Sequence, residues 1–298
     1  MFTEIIDQLL LRRTFFKAEL EVIDRYIATL IGQHDELQCL KERAAWKGKR
    51  IRSILYMSLW NKSCSVGKEL KFKTIAILEV IHFASLLHDD VIDCHLTRRG
   101  EVSFAGDYGN RASILIGDFV IIRMVAEFMR LHHGSDITKN LFLRECSSTA
   151  YGAILEQRLH VGLPLSEYVR CASLKTGPLF KLVCFLGSYL SSGDFSLARK
   201  MAIMGLCVGI IFQLQNDIDG YNSTEFEESE DYVMERITFP IIIVRNFLGV
   251  DVQKLFVQRQ SNYEMIRSII FSAEFRDITE RVMGKYLAIA RRIVEITL

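Results

Sequence analysis

The stretch from Thr74 to Gly100 constrains the fold of this chain most strongly, because a long apolar run ends there in clustered charge. Residues 75–87 are apolar on nearly every side. That pattern is typical of a helix buried inside a larger bundle rather than of a surface helix with one apolar stripe. The run ends at Asp89, Asp90 and Asp93. The spacing predicts that Asp89 and Asp93 lie one helical turn apart on the same face.

These carboxylates are expected to need cations nearby, because a helix C-terminus carries partial negative charge and like charges repel one another. Arg98 and Arg99 follow closely in the sequence. Oxygen ligands without Cys or His at ligand spacing favour Mg²⁺, which keeps waters and shares its shell with substrate phosphates. Two other interpretations stay open: an ordinary solvated acidic helix end, and a metallohydrolase site at His88 and Asp89 that would need further histidines.

Composition and patterning together predict an all-α protein. Half of the 298 residues are hydrophobic, only three are proline, and segments with helical periodicity dominate. There is no internal repeat and no linker rich in Gly, Ser or Pro, so a single domain over residues 1–298 is the simplest account. The net charge of +1, with acids and bases interspersed, predicts no nucleic-acid partner.

The cysteines and the hydropathy predict a cytoplasmic protein. Seven cysteines without CxxC pairs, with Cys146, Cys184 and Cys207 in apolar helical context, indicate buried free thiols in a reducing compartment. No apolar stretch reaches roughly 18 residues without interruption by charge, so no transmembrane segment is expected. The first residues, Met-Phe-Thr-Glu, do not resemble a secretory signal.

Several motifs resemble those of the trans-type isoprenyl diphosphate synthases, the family of farnesyl, geranylgeranyl and polyprenyl diphosphate synthases. The aspartates of residues 89–93 resemble the family's first aspartate-rich motif. The other similar segments, in chain order, are Gly48-Lys49-Arg50-Ile51-Arg52, Glu79-Val80-Ile81-His82, Arg98-Arg99-Gly100, Ile116-Gly117-Asp118-Phe119, Lys175-Thr176 and Phe212-Gln213. Their order and spacing agree with the family over most of the chain.

The resemblance implies a fold, a reaction and a cofactor. The fold would be the isoprenoid synthase fold, a single large helical bundle around a central active-site cavity, in a homodimer or, alternatively, a heteromer. The reaction would join isopentenyl diphosphate to an allylic prenyl diphosphate with up to three Mg²⁺ ions. The metal ligands implied in this way are Asp89, Asp93, Asn216 and Asp217.

The resemblance also implies roles for single side chains. Isopentenyl diphosphate would be bound by Lys49, Arg52, His82 and Arg99. The allylic diphosphate would be bound by Lys175 and Arg98, and bidentate contacts with phosphate explain the use of arginine. A polar interruption with a helix breaker, at Lys175-Thr176-Gly177-Pro178, predicts a kink. By resemblance this kink would lie over the reacting carbons, with Thr176 facing the developing cation and Gln213 also catalytic.

Small residues before the first motif indicate a deep product pocket. Ala84 and Ser85 lie about one turn before the aspartates, where short-chain enzymes of the family tend to carry a bulky aromatic residue. We therefore expect products longer than farnesyl diphosphate.

The second aspartate-rich motif departs from the family pattern FQxxDDxxD, since Asn216 and Gly220 replace its first and last acids. An Asn carbonyl ligates Mg²⁺ more weakly than a carboxylate does. On an ideal helix, Asp219 should point about 100° away from the direction of position 220, where the family has its last acid.

Three accounts of this departure stay open. The site works with Asn216, Asp217 and water; the chain is one subunit of a heteromer; or it is a class I terpene cyclase, whose second motif begins with Asn-Asp. A cyclase would have little use for the residues implied to bind isopentenyl diphosphate. A non-enzymatic helical scaffold would not need these motifs in register.

Overall fold

The computed structural model describes residues 11–32, 37, 40, 48–60, 64, 67–98, 101–160, 162–222, 235–249 and 259–297. The helices among them are α1 (Lys17–Ile31), α2 (Ile51–Ser58), α3 (Lys68–Ile92), α4 (Phe104–Tyr108), α5 (Asn110–Leu131), α6 (Asp136–Glu156), α7 (Leu165–Lys175), α8 (Gly177–Ser192), α9 (Phe195–Asp219), α10 (Phe239–Leu248), α11 (Arg259–Ile270) and α12 (Ala273–Thr297). A two-residue antiparallel ribbon joins β1 (Thr97–Arg98) to β2 (Glu101–Val102). The all-α prediction is confirmed.

The chain divides into two compact units. The amino-terminal unit comprises Asp7–Leu143 and Val183–Ala198; the carboxy-terminal unit comprises Met1–Ile6, Arg144–Leu182 and Arg199–Leu298. The unit boundaries fall inside α6, α8 and α9. The single domain expected from the sequence stays a prediction.

Helix α3 forms the centre of the amino-terminal unit. Its residues from Ile75 to Leu78 are fully buried, as the all-round apolar pattern predicts, and α1 and α5 pack against it. Polar groups near its start are paired. The Thr74 hydroxyl lies 2.9 Å from Nε2 of His132, and the Lys73 ammonium lies 3.4 Å from the Glu127 carboxylate. These pairs satisfy polar groups that would be costly to bury alone.

Helix α10 lies in the hydrophobic core of the carboxy-terminal unit. Its residues from Ile241 to Val244 are fully buried, and α7, α11 and α12 contact it. Pro240 lies in its first turn, where proline costs no intrahelical hydrogen bond. The position of α10 matters for function because its first backbone N–H, at Phe239, reaches the second aspartate-rich motif.

The prediction of a cytoplasmic protein used two expectations, buried free cysteines and no transmembrane segment, and the structure describes both features. The six cysteines of the described residues are free; Cys184 and Cys207 are buried as expected, whereas Cys146 is half-buried. Helix α9 is long and apolar enough to cross a membrane by length and composition alone, although no such helix was expected. Of its most apolar window, 56% is buried inside the protein, as in a core helix.

Removal of one aromatic ring should measure how tightly the amino-terminal unit is packed. Phe128 is fully buried and stacks on Phe142, with ring centroids 3.9 Å apart. It also stacks on His132, whose pKa burial lowers to about 4, so that ring is neutral at pH 7. Phe128→Ala should reduce the free energy of unfolding in urea by about 3 to 5 kcal/mol. The control Phe247→Ala, at a residue 52% exposed, should cost less than about 1 kcal/mol. Equal losses would contradict this packing.

Candidate active site

The first aspartate pair lies at the end of α3, as predicted. Asp93 is the C-cap residue, and its backbone N–H donates to the carbonyl oxygen of Asp89 at 2.8 Å. Both side chains are half-buried. Two carboxylates are thus held one helical turn apart where the helix dipole is negative, an arrangement that a bound cation would stabilise.

Asp90, between these two residues, is turned inward and is only 3% exposed. Nε of Arg98 donates to its carboxylate at 2.6 Å, and a second guanidinium nitrogen lies 2.5 Å away. Burial alone would raise the pKa of Asp90, but hydrogen bonds from His95 and Arg98 outweigh it and lower that pKa. Arg98 therefore supplies the cation that the sequence led us to expect beside these carboxylates, and its partner is Asp90. Its predicted contact with the allylic diphosphate stays a prediction.

Helix α5 fixes the position of this helix end. A Cβ atom at Gly117 would lie 2.3 Å from Nε2 of His88, so only glycine permits this approach. The His88 ring nitrogen lies 3.2 Å from the carbonyl oxygen of Ile114 and 3.3 Å from the Asp118 carboxylate. The Gly117-Asp118 motif therefore holds the residue that precedes Asp89.

The basic cluster lies where α2 begins. Arg50 precedes the helix in a left-handed conformation, with φ of 55°. Its guanidinium pairs with Asp24 and lies 3.5 Å from Glu79. The Ser53 hydroxyl and backbone N–H donate to Glu79 at 2.5 and 3.2 Å. These contacts fix the turn that carries Lys49, which is exposed, and the first helical turn, which carries half-buried Arg52.

The remaining two residues implied to bind isopentenyl diphosphate are His82 and Arg99. His82 is half-buried on α3, two turns before Asp89. Arg99 and Gly100 lie outside the described residues.

In the carboxy-terminal unit, the predicted kink is confirmed. Helix α7 ends at Lys175, Thr176 is its C-cap, and α8 begins at Gly177. The Lys175 ammonium pairs with the Glu156 carboxylate, a partner that the sequence analysis missed. The glycine one turn before Glu156 explains this contact, because a Cβ at Gly152 would lie 2.2 Å from the backbone nitrogen of Lys175.

A second close approach brings Thr176 to Gln213. A Cβ at Gly209 would lie 2.9 Å from the Cα of Gly177, so these two backbones can meet only at glycine. Gln213 lies one turn after Gly209 on the same face of α9. The Thr176 hydroxyl donates to the side-chain carbonyl of Gln213 at 2.6 Å. The predicted catalytic pair is therefore in contact.

Asp217, which the resemblance implied to be a metal ligand, lies among hydrogen-bond donors of the core. This carboxylate is 5% exposed and accepts hydrogen bonds from the Tyr168 hydroxyl, from the Phe239 backbone N–H at 3.0 Å and from the Gln213 amide at 2.8 Å. Three donors within the protein occupy both oxygens, so Asp217 is turned into the core. Burial, reinforced by the Asp217 charge, raises the pKa of Tyr168 well above its usual value, so the tyrosine remains a donor.

The residues on either side of Asp217 face elsewhere. Asn216 is half-buried, whereas Asp219 is exposed and accepts a hydrogen bond from Gln215 at 2.8 Å. Asp219 therefore lies away from Asp217, as the helical geometry predicts. Of the two ligands expected from this motif, Asp217 is buried and Asn216 is half-buried.

The donor chemistry of α3 fits Mg²⁺. Asp89 and Asp93 offer carboxylate oxygens, the ligands that Mg²⁺ prefers, and two protein carboxylates with substrate phosphates form a common Mg²⁺ shell. Across the described parts of the chain, no three His, Cys, Asp or Glu side chains form a closed metal cage.

Comparison with known proteins gives a consistent result. The sequence profile of the family described as polyprenyl synthetase matches residues 36–269. The chain is 30% identical over 205 residues to the decaprenyl-diphosphate synthase of Dictyostelium discoideum, covering 66% of this chain and 43% of that enzyme. It is 26% identical over 243 residues to the heptaprenyl diphosphate synthase component 2 of Bacillus subtilis, covering 80% and 69% respectively. The chain thus spans less than half the length of the Dictyostelium enzyme.

The fold is shared with a solved structure. The geranylgeranyl pyrophosphate synthase of Lactobacillus brevis superposes with a TM-score of 0.82 at 21% identity, over 96% of this chain and 92% of that one. The predicted isoprenoid synthase fold is confirmed.

The approach of Gly209 to Gly177 can be tested with a matched glycine. Gly209→Ala must separate α8 from α9, which moves Thr176 relative to Gln213 and should lower kcat by about tenfold or more, as small misplacements in active sites do. Gly284, in α12, has open space around its Cβ position. Gly284→Ala should leave kcat unchanged and stabilise the protein by up to about 1 kcal/mol, as alanine does in helices. Melting temperatures and steady-state kinetics of both variants provide the measurement. Unchanged kcat in Gly209→Ala would contradict the assignment.

Proposed function

This chain belongs to the polyprenyl synthetase family, a family of prenyltransferases, and from that premise we propose that it condenses isopentenyl diphosphate with an allylic diphosphate to give a longer trans-prenyl diphosphate. The observation that carries the proposal is the pair of half-buried carboxylates, Asp89 and Asp93, one turn apart at the end of a buried helix. The Thr176–Gln213 contact at the α7–α8 kink supports it.

Asp89 and Asp93 would hold the cofactor, with Asn216 as a weaker carbonyl ligand of a third ion. Bound Mg²⁺ would supply positive charge that stabilises the diphosphate leaving the allylic carbon. Lys175 and Arg98 would neutralise the same leaving group through charge-assisted hydrogen bonds. Each is already paired with a carboxylate, Glu156 or Asp90, so the diphosphate competes with that partner for part of the cation.

The chain's other polar residues would guide the attack. The Thr176 hydroxyl donates its proton to Gln213, so its oxygen lone pairs point away from Gln213 and would stabilise the allylic cation. The double bond of isopentenyl diphosphate attacks that carbon, one carbon–carbon bond forms, and the proton lost next passes to the departed diphosphate. No further co-reactant is needed.

Lys49, Arg52, His82 and Arg99 would hold isopentenyl diphosphate, the substrate that distinguishes this reaction from a terpene cyclisation. The rigid turn around Arg50 supports this role, since it fixes Lys49 and Arg52 before the substrate arrives. The related proteins named above are chain-elongating synthases, which favours the synthase over the cyclase.

We also propose a cytoplasmic, single-domain homodimer. Helix α5 presents an apolar stripe at one-turn spacing, with Leu115 68% exposed and Ile122 69% exposed on either side of Phe119. Such a stripe is typical of a helix that packs against a second copy. A heteromer is the second candidate, because the Bacillus subtilis relative is named as one component of its enzyme.

Dependence on Mg²⁺ should separate the two aspartate-rich motifs. Asp89→Ala removes one of the two carboxylates of the first motif and should lower kcat by about 1,000-fold or more, since it weakens metal-assisted ionisation. Asn216→Asp adds a carboxylate and should lower the Mg²⁺ concentration needed for half-maximal rate. The measurement is the rate against Mg²⁺ concentration for wild type and both variants. An Asp89→Ala protein with full activity would refute the proposed function.

Product length should respond to Ser85, which lies one turn before Asp89 on the same face of α3. It is half-buried, whereas Ala84 is fully buried in the core. Ser85→Phe should therefore shorten the product, because the added ring fills space that the growing chain would occupy. Ser268→Phe is the control, since both hydroxyls donate at 2.7 Å to the carbonyl three residues earlier and Ser268 is exposed. Chromatography of dephosphorylated products gives the length; unchanged length in Ser85→Phe would place the pocket floor elsewhere.

A further inference from the structure

The second aspartate-rich motif contains a relay of hydrogen bonds with a defined direction. The Tyr168 hydroxyl and the Phe239 backbone N–H donate to one carboxylate oxygen of Asp217. The amide nitrogen of Gln213 donates to the other oxygen at 2.8 Å. The amide oxygen of Gln213 then accepts a hydrogen bond from the Thr176 hydroxyl, with the two oxygens 2.6 Å apart. All five groups belong to the carboxy-terminal unit.

We propose that Asp217 is a positioning residue, not a metal ligand, and that it fixes the orientation of the Gln213 amide and thereby the direction of the Thr176 proton. This inference rests on the proposed prenyl transfer. It concerns a residue for which the family resemblance implied a ligand role.

The direction follows from donor and acceptor chemistry. An ionised carboxylate can only accept, so Gln213 must turn its NH₂ group toward Asp217 and its carbonyl oxygen toward Thr176. Thr176 can then satisfy that carbonyl only by donating its proton. Its lone pairs remain on the opposite side, where they can stabilise positive charge. If the amide of Gln213 flipped, Thr176 would accept a hydrogen bond instead and its proton would point outward.

The surroundings of Asp217 keep the relay in this state. The high pKa of Tyr168 holds its hydroxyl protonated, and the Phe239 N–H is a donor that cannot change role. Three donors of the core already stabilise the Asp217 carboxylate, and the residue is only 5% exposed, so its charge is satisfied without a metal ion. A positioning role explains why position 217 has an acid, although Asn216 and Gly220 replace the other two acids of the motif.

The test compares Asp217→Asn with Tyr168→Phe. An asparagine at 217 can donate through its own amide, which permits Gln213 to flip. Tyr168→Phe removes one donor to Asp217 without replacing any candidate metal ligand, and it keeps the test valid if Asp217→Asn folds poorly. Asp219→Asn is the matched control, because this exposed carboxylate two residues away lies outside the relay.

The first readout is metal binding without turnover. Mn²⁺ is titrated by electron paramagnetic resonance into each protein with an allylic thiolodiphosphate, which resists ionisation. Asp217→Asn and Tyr168→Phe should bind Mn²⁺ within about twofold of wild type, since metal affinity depends on ligands that neither variant changes. A loss of Mn²⁺ affinity of about tenfold or more in Asp217→Asn, with Tyr168→Phe unchanged, would make Asp217 a ligand and overturn the proposal.

The second readout is coupling to Thr176. Asp217→Asn alone should lower kcat by about tenfold or more with little change in KM for isopentenyl diphosphate, and Asp219→Asn should not lower it. In a Thr176→Val background, Asp217→Asn and Tyr168→Phe should cause little further loss, because the group they orient is absent. If Asp217→Asn lowers kcat by the same factor in the Thr176→Val background as in wild type, the proposal is overturned.

The two proposals can fail separately. A wild-type protein that forms no prenyl diphosphate from both substrates contradicts the proposed function. The Mn²⁺ titration needs no turnover and still decides whether Asp217 is a ligand.

Discussion

The burial of a carboxylate near the end of a helix is the constraint on which both aspartate-rich motifs depend. An ionised carboxylate can be buried only with donors or cations around it. Asp90 has Arg98, and Asp217 has Tyr168, Gln213 and the Phe239 N–H. In each motif the buried acid follows a half-buried residue, Asp89 or Asn216. One position therefore anchors the helix end, and the position before it is only half-buried.

Close approaches of glycines set the positions of the functional side chains. Gly152 admits the backbone of Lys175 one turn before Glu156, and Gly209 admits Gly177 one turn before Gln213. In both cases a missing Cβ brings two backbones together, and the next turn of the same helix supplies a polar contact. Precise placement of this kind is what catalysis by charge stabilisation requires. Gly117 differs in that it admits a side chain, the His88 ring at the end of α3.

Much of this could be predicted from the sequence, because it depends on local spacing. The buried helix α3, the pair Asp89 and Asp93, and the kink after Lys175 follow from periodicity and from a helix breaker. The partners Glu156 and Tyr168 could not be predicted, since they lie 19 and 49 residues from Lys175 and Asp217. The donors to Asp217 could not be predicted either, because spacing shows where a carboxylate lies along a helix but not which groups of the core reach its oxygens.

The central claim is that this chain transfers prenyl groups through a first motif that holds Mg²⁺. The most direct measurement supplies the purified protein with Mg²⁺, labelled isopentenyl diphosphate and a series of allylic diphosphates, and analyses organic extracts before and after phosphatase treatment. The account predicts labelled linear prenyl alcohols that appear only after phosphatase treatment. Their chains should be longer than about fifteen carbons, because the small residues before the first motif leave room for a longer product. Labelled cyclic hydrocarbons before phosphatase, or no extractable label from the folded protein, would contradict it.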